Sequence, residues 1–128
     1  MAREFIEVAA VTDVGNVRQY NEDSIAVDVD NGILALADGM GGHRAGEVAS
    51  RMATELLVAD LAAAAAAMRP DAGPRETMLA VESSINRANK AIFAAGRADS
   101  KHGGMGTTLA LALFRDGRVT WAHVGDSR

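Results

Sequence analysis

The sequence predicts an α+β domain, and three features carry that prediction. Two pairs of short apolar runs each enclose a tight-turn signature, Asp30-Asn31-Gly32 and Asp116-Gly117, which is the pattern of β-hairpins. Between them lie two long stretches with apolar residues at three- and four-residue steps, the pattern of amphipathic helices. Strands grouped apart from helices, rather than alternating with them, give an antiparallel sheet beside helices and not a parallel α/β sheet.

Taken in order, residues 4–12 (EFIEVAAVT) hold enough β-formers for a first strand, and Asp13-Val14-Gly15-Asn16 has turn composition. Residues 24–29 (SIAVDV) and 33–37 then pair across Asp30-Asn31-Gly32. That pairing has a consequence for chemistry: the end of the second run lies beside the start of the first, so Asp38 comes close to Glu22 and Asp23. From Glu47 the spacing of Val48, Met52, Leu56 and Ala59 predicts a helix, which the alanine run 62–67 continues because alanine is the best helix former. Pro70, Gly73 and Pro74 interrupt it. Met78, Val81, Ile85, Ala88 and Ile92 predict a second helix that stops at Gly96. Residues 97–106 (RADSKHGGMG) read as a mobile polar loop, and residues 107–114 and 119–124 as the second hairpin. No internal repeat or linker composition divides the chain, so residues 1–128 are read as one unit. A terminus so soon after a strand is unusual for a finished domain.

Composition excludes several function classes. A hydrophobic content of 48% over 128 residues is ordinary for a globular chain able to bury a core. With net charge −4 and a pI near 5.3 there is no basic field to hold nucleic acid or an anionic membrane, so an anionic substrate must be held by local cations. The absence of cysteine rules out disulfides, thiolate zinc sites and cysteine nucleophiles, and fits a reducing compartment. Neither a signal-peptide core nor an apolar run near about 18 residues is present, so the expected location is cytoplasmic.

Two clusters carry candidate chemistry. The first is Arg18, Asn21, Glu22, Asp23 and Asp38, followed by Gly39, Gly41 and Gly42, which let the backbone pass close to a ligand. Carboxylates without sulfur or clustered imidazole suit hard cations such as Mg2+ or Mn2+. Two such ions sharing a carboxylate would activate water for in-line displacement at phosphorus, with Arg18 gripping the phosphate oxygens. The plainer alternative is a solvated turn, with Asp38 capping nearby amides and Arg18 in a surface ion pair. The second cluster is His123, Gly125, Asp126, Ser127 and Arg128. Asp126 leaves a strand end as Asp38 does and would reach the same site. Ser127 as a hydrolase nucleophile would need a base further along, and none follows. His123, inside an apolar strand, reads as a satisfied core histidine. Residues 28–39 start like a calcium loop, but the glycine comes one place early and Gly39 stands where the closing glutamate belongs. Residues 38–42 and 103–106 lack the Lys-Ser/Thr ending of a nucleotide-binding loop. The six scattered methionines read as core filling.

Together, residues 12–23 (TDVGNVRQYNED), 37–43 (ADGMGGH), 104–108 (GMGTT) and 123–128 (HVGDSR) resemble the successive motifs of the metal-dependent PP2C-type (PPM) protein serine/threonine phosphatases in their bacterial form. The resemblance implies a four-layer αββα sandwich, two antiparallel sheets flanked by helices with two Mn2+ or Mg2+ ions between them. Carried over residue by residue, Arg18 matches the phosphate-binding arginine, and Glu22 and Asp38 match metal ligands, with Asp38 bridging the ions. Gly39 would offer its carbonyl, Asp23 would bond metal waters, and Asp126 would help hold a weaker third ion. Met40 stands where many eukaryotic members carry a histidine, a proposed general acid; His43, three residues on, matches bacterial relatives and is the catalytic candidate. The family domain continues well past the Gly-Asp-Ser-Arg motif, through strands that supply further aspartate ligands, so the resemblance covers only its amino-terminal part. The implied function is metal-dependent hydrolysis of phosphoserine and phosphothreonine in partner proteins, impaired in so short a chain. The alternative is a non-catalytic module that binds phosphoprotein or self-associates through an uncovered sheet edge.

Overall fold

The computed structural model describes residues 6–42 and 44–128. In chain order it contains β1 (Asp23–Asp28), β2 (Ile33–Met40), α1 (Ala45–Ala67), α2 (Pro74–Ala98), β3 (Gly106–Thr107), β4 (Leu109–Arg115) and β5 (Arg118–Val124), with a 3-10 turn at Ser100–His102. The five strands form one antiparallel sheet in the order β1-β2-β4-β5, and β3 extends the pairing along the end of β2.

Both hairpins form where their turn residues predict. Gly32 adopts φ 68° and donates its N–H to Val29 O at 3.1 Å, while Asp28 accepts from the Asn31 backbone at 3.2 Å and from Asn31 Nδ2 at 2.7 Å. Asp28 is therefore spent on a turn and not on a calcium loop. In the second hairpin Asp116 and Gly117 both have positive φ, 52° and 71°, which a two-residue turn needs to match the twist of its strands.

Alternation along the strands decides where the core lies. Ile33, Ala35 and Ala37 of β2 and Leu109, Leu111 and Leu113 of β4 point to one face and pack on Ala49, Ala53, Leu57 and Leu61 of α1 and Val81 and Ile92 of α2. Each large aliphatic side chain buried there contributes about 1.5–3 kcal/mol. The alanines matter as much, since their small size lets α1 settle close on β2. Where the alanine run ends, Arg115 of β4 donates to the carbonyls of Ala65 at 3.1 Å and Arg69 at 3.2 Å, giving the last turn of α1 the donors it lacks. Between the helices, Arg87 and Ser84 of α2 bond the Asp60 carboxylate of α1 at 2.6 and 2.5 Å, and the Arg87 bond leads in holding that carboxyl below its ordinary range.

No described element covers the opposite face of the sheet. Register places Ile25, Val27, Leu34, Leu36, Phe114 and Trp121 there, with Leu36 42% and Trp121 67% exposed. The fold is thus α+β as predicted, and the described residues form one sheet with helices on one side, as expected of a part of the four-layer sandwich. His123 also lies on this face, exposed and stacked on Trp121 with ring centroids 6.1 Å apart. It is not a core histidine, because β5 is an edge strand whose outer face no described residue covers.

Other boundaries move for identifiable reasons. Residues 6–12 of the expected first strand are not strand and are largely exposed; residues 4 and 5 lie outside the described residues. Their β-propensity has no effect without a neighbouring strand to bond. Helix α2 runs through Gly96 to Ala98. There the glycine serves packing, since a Cβ would lie 3.2 Å from His102 O. The expected loop after it is partly ordered by Asp99, whose carboxylate accepts from Lys101 N at 2.9 Å. Strand β2 carries on through Asp38 to Met40 because β3 supplies partners, Gly39 opposite Thr107 and Met40 opposite Gly106. Of the methionines, Met52 and Met105 pack on the core, but Met40 and Met78 are more than half exposed.

Candidate metal centre

The loop before β1 is shaped by its own polar side chains. Asp13 accepts from Gly15 N at 2.7 Å, with Gly15 at φ 78°, and Asn21 reaches both ways, donating to Thr12 Oγ1 at 2.9 Å and accepting from Asp23 N at 3.0 Å. This delivers Glu22 to the side of β2, where its carbonyl accepts from Gly39 N at 3.0 Å. One step on, Asp23 stands directly opposite Asp38. Opposed residues of an antiparallel pair share a face, so both carboxylates project on the open side of the sheet.

The electrostatics follow from that placement. Asp23 is exposed, but partial desolvation where it meets β2 pushes its carboxyl above its ordinary range, and the charge of Asp38 and a hydrogen bond with it push the same way; Arg18 opposes the shift and Glu22 adds to it. Arg18, Glu22 and Asp38, chosen from sequence with Asp23, therefore each act on the Asp23 carboxyl in the fold. A close carboxylate pair costs the folded state free energy unless a cation or proton sits with it. The donors are all oxygen, which fits a hard cation. Among the described residues, however, no three His, Asp or Glu side chains converge in metal-binding geometry. Asp126 is exposed and belongs to no such group of three, and His43 lies outside the described residues.

The sign of the Asp23 shift gives a prediction. Because its folded pKa is raised, the folded chain holds the proton more tightly than the unfolded chain, so repulsion grows as pH rises from the usual carboxylate value through the raised one. Asp23→Asn is expected to stabilise the metal-free chain at pH 7, by no more than about 0.5 kcal/mol since the group is exposed and screened. The gain should vanish near pH 3, where Asp23 takes up its proton in the folded and unfolded chain alike; urea midpoints at the two pH values measure it.

Several residues of the site had no role assigned from sequence, although Thr108 lies in the 104–108 motif. Gly46, at the first turn of α1, leaves room for Glu22: a Cβ there would overlap Glu22 Oε2 and fall 2.8 Å from Met40 N. Gly46→Ala should shift the Glu22 carboxylate, the mobile partner, and weaken Mn2+ binding by about tenfold. Helix propensity alone predicts the reverse sign for stability, a gain of about 1 kcal/mol. A Mn2+ titration beside a thermal melt separates the two effects. Arg44, at φ 63°, places its guanidinium 4.5 Å from the Tyr20 ring centroid and bonds Glu47 at 2.8 Å, linking the arginine loop to the glycine loop. Thr108, 7% exposed, bonds both Asp38 and Ser127. That commitment of the Ser127 hydroxyl, 2.5 Å from Thr108 Oγ1, also argues against a serine nucleophile.

The sequence profile of the protein phosphatase 2C family matches residues 16–128. The chain belongs to the protein phosphatase 2C family. It is 42% identical over 124 residues to the serine/threonine protein phosphatase PstP of Mycobacterium tuberculosis, covering 96% of this chain and 22% of that protein. To the serine/threonine phosphatase stp of Listeria monocytogenes it is 42% identical over 120 residues, covering 91% of this chain and 46% of stp. A crystal structure of the PstP catalytic domain in complex with two manganese ions superposes with a TM-score of 0.69 at 39% identity, over 89% of this chain and 45% of that one. The chain thus spans less than half the length of these PP2C relatives, and its sheet and two helices match part of the PP2C fold.

Proposed function

We propose that this chain forms the amino-terminal part of a PP2C-type catalytic domain that hydrolyses phosphoserine and phosphothreonine in partner proteins. The observation that carries this reading is the pairing of Asp23 with Asp38 across β1 and β2, with Arg18 acting on the Asp23 carboxyl. Glu22, Asp38 and the Gly39 carbonyl would hold Mn2+ or Mg2+, as two ions, with Asp23 bonding their water and Asp126 serving a weaker third. Bound there, such ions supply a hydroxide equivalent at neutral pH and positive charge for the phosphoryl group. Arg18, exposed beside the acidic pair, would bind and orient the phosphate oxygens with its planar fork. Asp23 would hold or pass a proton at its carboxyl, which its raised pKa suits, and His43 would protonate the leaving serine or threonine oxygen. The apolar open face is suited to a second sheet, which would complete the four-layer sandwich and bring further ligands. A cytoplasmic location, and no nucleic-acid or membrane partner, belong to the same proposal; no described helix is long and apolar enough to cross a membrane.

One set of observations favours a second reading. Two edge strands, β1 and β5, an uncovered apolar face and an incomplete set of converging carboxylates suit a non-catalytic module that binds phosphoprotein or self-associates. Sedimentation showing only monomer at micromolar concentration would count against self-association.

The deciding experiment is Mn2+-dependent hydrolysis of a phosphothreonine peptide by the 128-residue chain, with Asp38→Asn as control. Weak or no turnover is expected, because ligands missing from a two-metal site lower both metal affinity and nucleophile generation. Full activity abolished by Asp38→Asn would show that this length alone completes the site.

A further inference from the structure

The ladder between β2 and the segment that becomes β3 and β4 has one irregular rung. Leu36 stands opposite Ala110 and Gly39 opposite Thr107, so the register leaves Asp38 facing Thr108. Thr108 N–H donates to Asp38 O at 2.9 Å as a regular rung would. The return bond differs: Asp38 N–H donates to the Thr108 hydroxyl at 3.1 Å, while the Thr108 carbonyl accepts from Thr107 Oγ1 at 2.8 Å. The same hydroxyl lies 2.5 Å from Ser127 Oγ, and Gly125, at φ 85°, packs so closely on Thr108 that a Cβ would be 3.0 Å from its Cγ2. A buried side chain thus stands in for a backbone acceptor at Asp38 and ties that rung to the Gly-Asp-Ser-Arg segment.

We infer that Thr108 is a positioning residue for the site: its hydroxyl sets where the Asp38 backbone sits, and through Ser127 it couples the Gly125–Arg128 segment to that carboxylate. The chemistry requires a hydroxyl able to accept from one group and donate to another. Valine has the same shape and neither capacity, so Asp38 N–H would lose its acceptor or retreat onto the Thr108 carbonyl. Serine keeps both bonds. The inference rests on the metal-site reading for its functional meaning, but its structural half can be tested without metal.

The experiment uses 15N-labelled 128-residue chain as wild type, Thr108→Val, Thr108→Ser and Ser127→Ala. Amide exchange at Asp38 is measured without metal, and Mn2+ affinity is read from paramagnetic broadening at Asp23 and Asp38. Thr108→Val is expected to exchange the Asp38 amide at least about tenfold faster and to weaken Mn2+ by about tenfold, the usual size of an outer-shell effect. Thr108→Ser should restore both towards wild type, a rescue that loss of packing alone would not show. Ser127→Ala should shift both in the same direction by a smaller factor, and it keeps the test open if Thr108→Val does not fold. Unchanged Asp38 exchange in Thr108→Val, or in Ser127→Ala where the valine variant does not fold, overturns the inference; so does wild-type Mn2+ affinity in Thr108→Val. Absence of Mn2+ broadening in the wild type would instead overturn the metal reading for this chain, with Thr108 then judged on exchange alone.

Discussion

Gly39→Ala is expected to destabilise the chain by about 3 kcal/mol, at the upper end of what overpacking costs. A Cβ at Gly39 would overlap the Gly46 carbonyl oxygen and would lie 2.5 Å from Gly46 C and 2.9 Å from its Cα. All three atoms are backbone, so no side chain can swing aside. Either β2 or the first turn of α1 must move, and with it the contact made by Ala37 and Ala49, which are fully buried at the same junction. The opposing effect is small: replacing an extended glycine by alanine recovers roughly 0.5–1 kcal/mol of unfolded-state entropy. The clash wins by a wide margin. A urea titration followed by circular dichroism measures the outcome, and a wild-type midpoint would mean that β2 and α1 are not in backbone contact. Gly46→Ala provides the contrast, because part of its strain falls on the movable Glu22 carboxylate and so appears in metal affinity.

These two glycines show where sequence reasoning stops. Asp38 was placed beside Glu22 and Asp23 from the sequence, because a hairpin needs only local rules: two runs, a turn signature and a register. The helices were legible for the same reason, their periodicity being internal to each segment, but the spacing puts the stripe of α1 one residue early: Ala49, Ala53 and Leu57 are buried where it predicts Val48, Met52 and Leu56. Gly46 and Thr108 act through partners on other elements, Glu22 and Met40 for one and Ser127 for the other. No spacing records such contacts. Alternation even misdirects at Thr108, which shares its phase with Ala110 and Ala112 of the open face yet is buried. Residues 6–12 fail in the opposite way, for their composition suits a strand that no described neighbour pairs. The uncovered face has the same character: each strand is correctly patterned, but what lies over a sheet is not a property of its strands.

Asp38→Asn is expected to weaken Mn2+ binding by about 100-fold or more while leaving the metal-free fold as stable as the wild type or slightly more so. The two effects have different origins. Asn keeps the size of the side chain and leaves the backbone bonds to Thr108 intact, so the strand has no reason to shift. At neutral pH the Asp38 charge opposes that of Asp23, and its removal relieves repulsion; the new amide N–H can also donate to Asp23. The Asp23 carboxyl should then titrate lower, towards its ordinary range, which carbon-detected NMR of the carboxyl reads directly. A carboxylate that is neutral or mildly unfavourable for folding, and required for the cation, is retained for chemistry. If Asp38→Asn instead lost stability and left Mn2+ affinity unchanged, the pair would be a structural hydrogen bond that happens to hold two acids. Metal affinity and the urea midpoint separate these cases; the downward shift at Asp23 tests the pairing itself, even in a chain that turns over no substrate, because the charge of Asp38 and its hydrogen bond are among the causes that raise the Asp23 carboxyl across β1 and β2.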